Sequence, residues 1–117
     1  MTNHIVYVYG TLRPGKVADT TRIHGTIYDI GSFPGIVLDG EDRKGEVTVE
    51  RITVDDDKLA SLDRYEGYYA DDEEHSLYIR RRFRDGWIYV WNRSIEGYPK
   101  IEGGDWLIHT EARRVNA

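Results

Sequence analysis

Glu46-Val47-Thr48-Val49-Glu50-Arg51-Ile52 alternates polar and apolar side chains, the pattern of a β-strand with one wet face. The segment just beyond it, Asp55-Asp56-Asp57-Lys58-Leu59-Ala60-Ser61-Leu62-Asp63-Arg64-Tyr65-Glu66-Gly67, has a different character. Acidic residues that can cap a helix open it, and glycine, a common helix stop, closes it. It reads as a helix of about two to three turns. Upstream, Ile5-Val6-Tyr7-Val8-Tyr9 is continuously apolar or aromatic, a strand buried on both faces that ends at Gly10. His24 to Ile30 alternates and stops at Gly31, and Phe33-Pro34-Gly35 forms a turn or edge ahead of Ile36-Val37-Leu38. Downstream, Ser76–Phe83 and Trp87–Trp91 read as two strands joined through Arg84-Asp85-Gly86, a hairpin signal. A second short helix is expected near Asp19–Ile23. Because the strands lack crossover helices between them, antiparallel pairing should dominate. The predicted fold is α+β: a small mixed, mostly antiparallel β-barrel, closed or nearly closed, with one or two short helices.

The 117 residues fit one domain. We place it at residues 1–110, with 111–117 as a frayed C-terminal tail. A chain this long buries roughly two thirds of its unfolded surface and needs no disulfide or metal to fold. The absence of cysteine excludes a disulfide framework, a thiol nucleophile and thiolate metal sites. The longest apolar run, Ile5–Tyr9, is too short to span a bilayer, and Met1-Thr2-Asn3-His4 lacks the features of a signal peptide, so a cytoplasmic protein is expected. A net charge of −5 repels phosphate backbones and argues against nucleic acid as a partner. The basic cluster Arg80-Arg81-Arg82 with Arg84 follows the acidic run Asp71-Asp72-Glu73-Glu74, which reads as local charge balance on a solvated surface.

The helix carries the first chemical signal. Leu59, Leu62 and Glu66 are spaced to share one face, and the leucines must face the core. Glu66 is then directed inward at the helix C-terminus, where burial and the helix dipole both disfavour its charge. A carboxyl tuned upward in this way suits a general base or acid near neutral pH. In the alternative, the helix ends a residue early and Glu66 turns to solvent. Asp63, three residues before it, either pairs with Glu66 in a two-carboxylate hydrolase or bonds to a neighbour.

The second signal is Tyr9-Gly10-Thr11-Leu12-Arg13-Pro14-Gly15, a strand end followed by a loop whose N–H groups can receive an anion or a developing oxyanion. An ordinary Pro-Gly turn is the alternative. Gly10-x-x-x-x-Gly15-Lys16 imitates a P-loop, but Val17 stands where a Ser or Thr must hold magnesium, and Pro14 lacks an N–H for the phosphate cradle. ATP and GTP are therefore rejected as ligands. The histidines His4, His24, His75 and His109 lack metal-ligand spacing, so no metal site is expected.

In this order and spacing the motifs resemble the gamma-glutamylcyclotransferase-like superfamily. Val8-Tyr9-Gly10-Thr11-Leu12-Arg13-Pro14-Gly15 is similar to its substrate-binding loop, Phe33-Pro34-Gly35 to its aromatic-proline turn, and Lys44-Gly45-Glu46-Val47 to the start of its next strand. Leu62-Asp63-Arg64-Tyr65-Glu66-Gly67-Tyr68 is similar to the segment that holds its catalytic glutamate, and the likeness continues through Trp106. The resemblance implies a small mixed barrel with helices outside and an enzyme that cleaves a gamma-glutamyl amide. The substrate's own α-amine would attack its γ-carbonyl, releasing 5-oxoproline and an amine. No cofactor or metal is implied, and the partner is a small molecule. Glu66 would take the proton from the amine and pass it to the departing nitrogen. The N–H groups around Gly10, Thr11 and Leu12 would bind the substrate carboxylate or carbonyl oxygen. Tyr9 and Tyr78 would line the cavity as hydroxyl donors or serve as core aromatics, and Arg80 would pair with an acidic neighbour. Two other readings are a non-catalytic module that binds a small anion, and an amide hydrolase in which Glu66 activates water.

Overall fold

A computed structural model of the chain describes residues 2–38 and 45–116, with side chains through 114. Met1, Lys44 and Ala117, which entered the sequence reading, lie outside the described residues. In chain order the elements are β1 (Asn3–Val8), β2 (Thr20–His24), β3 (Thr26–Asp29), β4 (Pro34–Val37), β5 (Glu46–Asp55), α1 (Asp56–Tyr65), β6 (Tyr78–Phe83), β7 (Gly86–Trp91) and α2 (Trp106–Asn116). The mixed α+β class expected from the sequence is the one observed.

β1 is the middle strand of a five-stranded sheet with the order β2-β5-β1-β7-β6. It pairs antiparallel with β5, placing Val6 opposite Ile52, and parallel with β7, placing Val6 opposite Trp87. The sheet does not close into the expected barrel. β3 and β4 form a separate two-stranded ribbon in which Ile27 faces Ile36. The break falls at Gly25, whose φ of 155° interrupts the run read as one strand from His24 to Ile30. Its N–H donates to Gly45 O at 3.1 Å, and the chain beyond it leaves the sheet to pair with β4.

The expected helix near Asp19–Ile23 is also corrected. Only one 3₁₀ turn forms, at Val17–Asp19, and β2 follows at once. β-Branched Thr20, Thr21 and Ile23 suit a strand, and they pair with β5 along its edge, Thr20 opposite Glu50 and Ile23 opposite Val47. A third correction concerns the C-terminus. Residues 111–116, read as frayed, are the later turns of α2. Asp105 caps that helix by accepting from the N–H groups of Leu107 and Ile108, and Trp106 is only 1% exposed. Arg113 then ties the helix to Asp29 through a 2.7 Å ion pair.

Period-two alternation along β1 feeds two cores. Tyr7 and Tyr9 join Val47, Val49, Ile27, Ile36, Ile88 and Trp106 in one of them. Val6 and Val8 join Val54, Tyr78, Tyr89, Trp91 and the α1 leucines, Leu59 and Leu62, in the other. Strand β1 is thus buried on both sides, as its unbroken apolar run foretold, and its C-terminal end delivers residues 9–12 beside the end of α1.

Candidate functional site

The C-terminal end of α1 is fixed by a specific hydrogen-bond pattern. Gly67 takes the left-handed conformation (φ 67°), its N–H donates to Arg64 O at 3.2 Å, and Tyr68 N–H donates to Asp63 O at 2.8 Å. This paired arrangement satisfies helix carbonyls that would otherwise lack donors. Glu66 is the residue it encloses. The regular helix stops at Tyr65, but Glu66 keeps a right-handed backbone (φ −83°, ψ −3°) and its N–H reaches Leu62 O at 2.8 Å. Its side chain therefore stays on the face set by Leu59 and Leu62, which are 7% and 3% exposed.

That face opens on a cavity of about 250 Å³. The end of β1 and the following loop supply Tyr7 to Leu12, Phe33 and Pro34 come from the start of β4 and the residue before it, and the helix end supplies Tyr65 and Glu66. Leu77, Tyr78 and Tyr89 complete the wall. All six residues singled out from the sequence, Tyr9, Gly10, Thr11, Leu12, Glu66 and Tyr78, thus line one cavity. Glu66 is the single carboxylate among the lining residues, and burial pushes its pKa up from 4.5 to about 7.

The tyrosines need a correction as hydroxyl donors. Tyr9 donates its proton to Tyr89 O at 2.6 Å and accepts from Ile36 N–H at 3.3 Å, while Tyr78 donates to Pro34 O at 2.6 Å. Both protons are spent on main-chain carbonyls, as buried phenols require. The two rings shape the cavity and lock β1, β4, β6 and β7 around it. Burial and the nearby Glu66 charge hold both phenols above the ordinary tyrosine range.

The loop after β1 begins with a turn in which Arg13 N–H donates to Gly10 O at 3.1 Å. The N–H groups of Gly10, Thr11 and Leu12 find no acceptor among the described residues. Gly10 is favoured by close approach: a Cβ there would lie 3.0 Å from Pro34 Cγ, so the proline ring would have to shift to admit one. The second half of the loop is bound differently. Gly15 N–H donates to both oxygens of Glu50 at 2.9 Å, Lys16 N–H donates to Glu50 at 3.0 Å, and Arg13 Nε donates to it at 2.8 Å. A P-loop keeps such N–H groups for phosphate, whereas here an internal carboxylate takes them.

Glu50 was expected on a wet strand face and is instead fully buried. The alternation in β5 could not reveal this, because the loop that covers that face comes from more than thirty residues upstream. Asp63 does not line the cavity. It accepts from Tyr89 OH at 2.6 Å and lies 3.5 Å from Arg80, so the two-carboxylate pairing does not form. Arg80 stacks 4.4 Å from the Trp87 ring, and Arg81 sits 3.7 Å from Glu73, consistent with local charge balance in that cluster. Among the described residues, no three His, Asp or Glu side chains come close enough to hold a metal ion. No helix among them is long and apolar enough to cross a membrane.

The arrangement joins main-chain donors, suited to an oxyanion or carboxylate, to a carboxyl that exchanges its proton near neutral pH. Residues 6–108 match the family described as gamma-glutamyl cyclotransferase, AIG2-like. A Vibrio cholerae protein whose name carries the term gamma-glutamylcyclotransferase is 31% identical over 115 residues, covering 88% of this chain and 95% of the relative. The gamma-glutamylcyclotransferase family protein YtfP of Escherichia coli K12 is 29% identical over 87% of this chain and 95% of its own length. The solution structure of Escherichia coli ytfP superposes with a TM-score of 0.61 at 26% identity, covering 91% of this chain and 98% of that one. The crystal structure of YkqA from Bacillus subtilis gives a TM-score of 0.69 at 20% identity, a likeness of fold in which this chain spans 43% of the longer protein.

Proposed function

This chain belongs to the gamma-glutamyl cyclotransferase, AIG2-like family, and from that premise we propose that it converts a gamma-glutamyl amide into 5-oxoproline and a free amine, with Glu66 as the proton carrier. The substrate's α-amine is mostly protonated at pH 7, so its proton must be removed before it can act as a nucleophile. Glu66 takes that proton. The amine nitrogen then bonds to the γ-carbonyl carbon, closing a five-membered ring, and the carbonyl oxygen gathers negative charge. N–H groups at Gly10, Thr11 and Leu12 stabilise that oxygen or hold the substrate carboxylate. Collapse of the intermediate breaks the amide C–N bond: Glu66 gives its proton to the departing nitrogen, then takes the second proton of the former α-amine from the ring nitrogen and passes it to the released amine, leaving a neutral lactam and a carboxylate ready for the next turnover. Tyr9 and Tyr78 hold the folded-back conformer by shape. Fixing the reacting atoms in this way can lower the barrier by several kcal/mol.

The observation that carries the reading is a carboxyl held near neutrality in a cavity that is also lined by residues 10–12, whose N–H groups find no acceptor among the described residues. A group with a pKa of about 7 is half ionised at neutral pH and serves equally as base and acid. A cytoplasmic setting belongs to the same proposal. Product analysis with a panel of gamma-glutamyl amines and peptides tests it: 5-oxoproline is expected. Free glutamate would replace the cyclotransferase with a hydrolase, and binding without product would leave a small-anion module.

A further inference from the structure

We propose that Glu50, acting through Arg13 and the N–H groups of Gly15 and Lys16, is a positioning residue that sets the shape of the substrate loop. The inference rests on the reading that residues 10–12 receive the substrate. Glu50 lies opposite Val8 in the β1–β5 register, beside the point where β1 hands the chain to the loop. Its carboxylate is 0% exposed and receives donors from three successive non-proline positions of the loop, Arg13, Gly15 and Lys16. Gly15 and Lys16 are themselves on the surface, so the loop is drawn down at its far end by one internal acceptor. The near end is anchored by β1. Between those two anchors, residues 10–12 line the cavity, and their N–H groups find no acceptor among the described residues.

Arg13 extends the device. Its side chain is 6% exposed, and its guanidinium spans from Glu50 to Asp105, donating to the latter at 3.0 Å. Asp105 is the residue that caps α2. One arginine therefore couples the loop, the central sheet and the C-terminal helix. Burying a carboxylate is costly unless it is fully hydrogen-bonded, and here the loop supplies the bonds. A glutamine at 50 keeps the volume but offers one acceptor oxygen and presents an NH₂ donor to groups that are all donors. The loop then loses its far anchor, while Glu66 and the walls built by Phe33, Pro34, Leu77, Tyr78 and Tyr89 keep their own supports.

The test uses the full chain. For Glu50→Gln we expect KM for the best gamma-glutamyl amide to rise about tenfold or more, kcat to fall less than about threefold, and the acidic limb of the kcat profile to stay where the wild type has it. Arg13→Lys should shift KM in the same direction by a smaller factor, because it keeps the charge but loses the fork that reaches two carboxylates. A merely structural role would lower the active fraction, reducing apparent kcat with KM unchanged; that result overturns the proposal. Should Glu50→Gln fail to fold, amide hydrogen exchange on the wild-type protein decides. Gly15 and Lys16 should exchange at least about tenfold more slowly than the other exposed loop amides, and exchange at the rate of a free turn overturns the proposal. That reading holds even if no gamma-glutamyl compound is turned over, so failure of the loop device and failure of the proposed function are distinguishable.

Discussion

Glu66 is held in an environment that costs the folded protein stability. Its pKa rises from 4.5 to about 7 on folding because burial disfavours the charged form. Below about pH 4.5 the carboxyl is neutral in both states and contributes no penalty. Between about pH 4.5 and 7 the unfolded state ionises this carboxyl while the folded state holds it neutral, so stability falls by about 3 kcal/mol across that window and stays at the lower level above it. Glu66→Gln removes the penalty. Chemical denaturation should find the variant up to about 3 kcal/mol more stable than wild type at pH 8 and little changed at pH 4; equal stability at pH 8 would mean that the carboxyl is not desolvated. At this scale the sequence was informative about Glu66, because helix spacing relative to Leu59 and Leu62 is local. It left Tyr9 and Tyr78 between hydroxyl donors and core aromatics, and it put Glu50 on the wet face. Their partners come from residues 27 to 80 positions away, and no local pattern carries that information.

Two short elements position the site, and each depends on a glycine. Gly67 closes α1 in a left-handed conformation, and a Cβ there would also lie 3.2 Å from Leu77 Cβ. Gly67→Ala should cost about 1–2 kcal/mol in denaturant melts, and should lower kcat as well by loosening the helix end that carries Glu66. Gly10→Val puts side-chain atoms against Pro34 inside the cavity. It should raise KM by at least about tenfold in steady-state assays; unchanged KM would show that substrate lies elsewhere. The helix Asp56–Tyr65 and the β6–β7 hairpin were legible because capping and turn residues mark them locally. The stretch near Asp19–Ile23 was misread as helical because the strand character of Thr20–Ile23 is fixed by pairing with β5.

For the whole molecule, the class was legible and the closure of the sheet was not. Alternation shows that a strand has two faces, but it cannot say which edges meet. Here the break at Gly25 sends β3 into its own ribbon with β4 and leaves the sheet open. The C-terminal helix illustrates the same limit. Its exposed, charged last turns resemble a loose end, while its anchor, Trp106, is only 1% exposed in the core with Ile27 and Ile36. Trp106→Ala should therefore destabilise the protein by about 3–5 kcal/mol, measured by urea denaturation. A change below about 1 kcal/mol would mean that Trp106 does not anchor α2 in the core.

All three scales converge on one proton. The most direct measurement is the initial rate of 5-oxoproline release from a gamma-glutamyl amide between about pH 5 and 9, for wild type and Glu66→Gln side by side. The wild-type rate should climb with pH through a midpoint of about 7 as the carboxylate forms, and the variant should fall by about two to four orders of magnitude at every pH. A variant that releases 5-oxoproline at the wild-type rate would contradict the account.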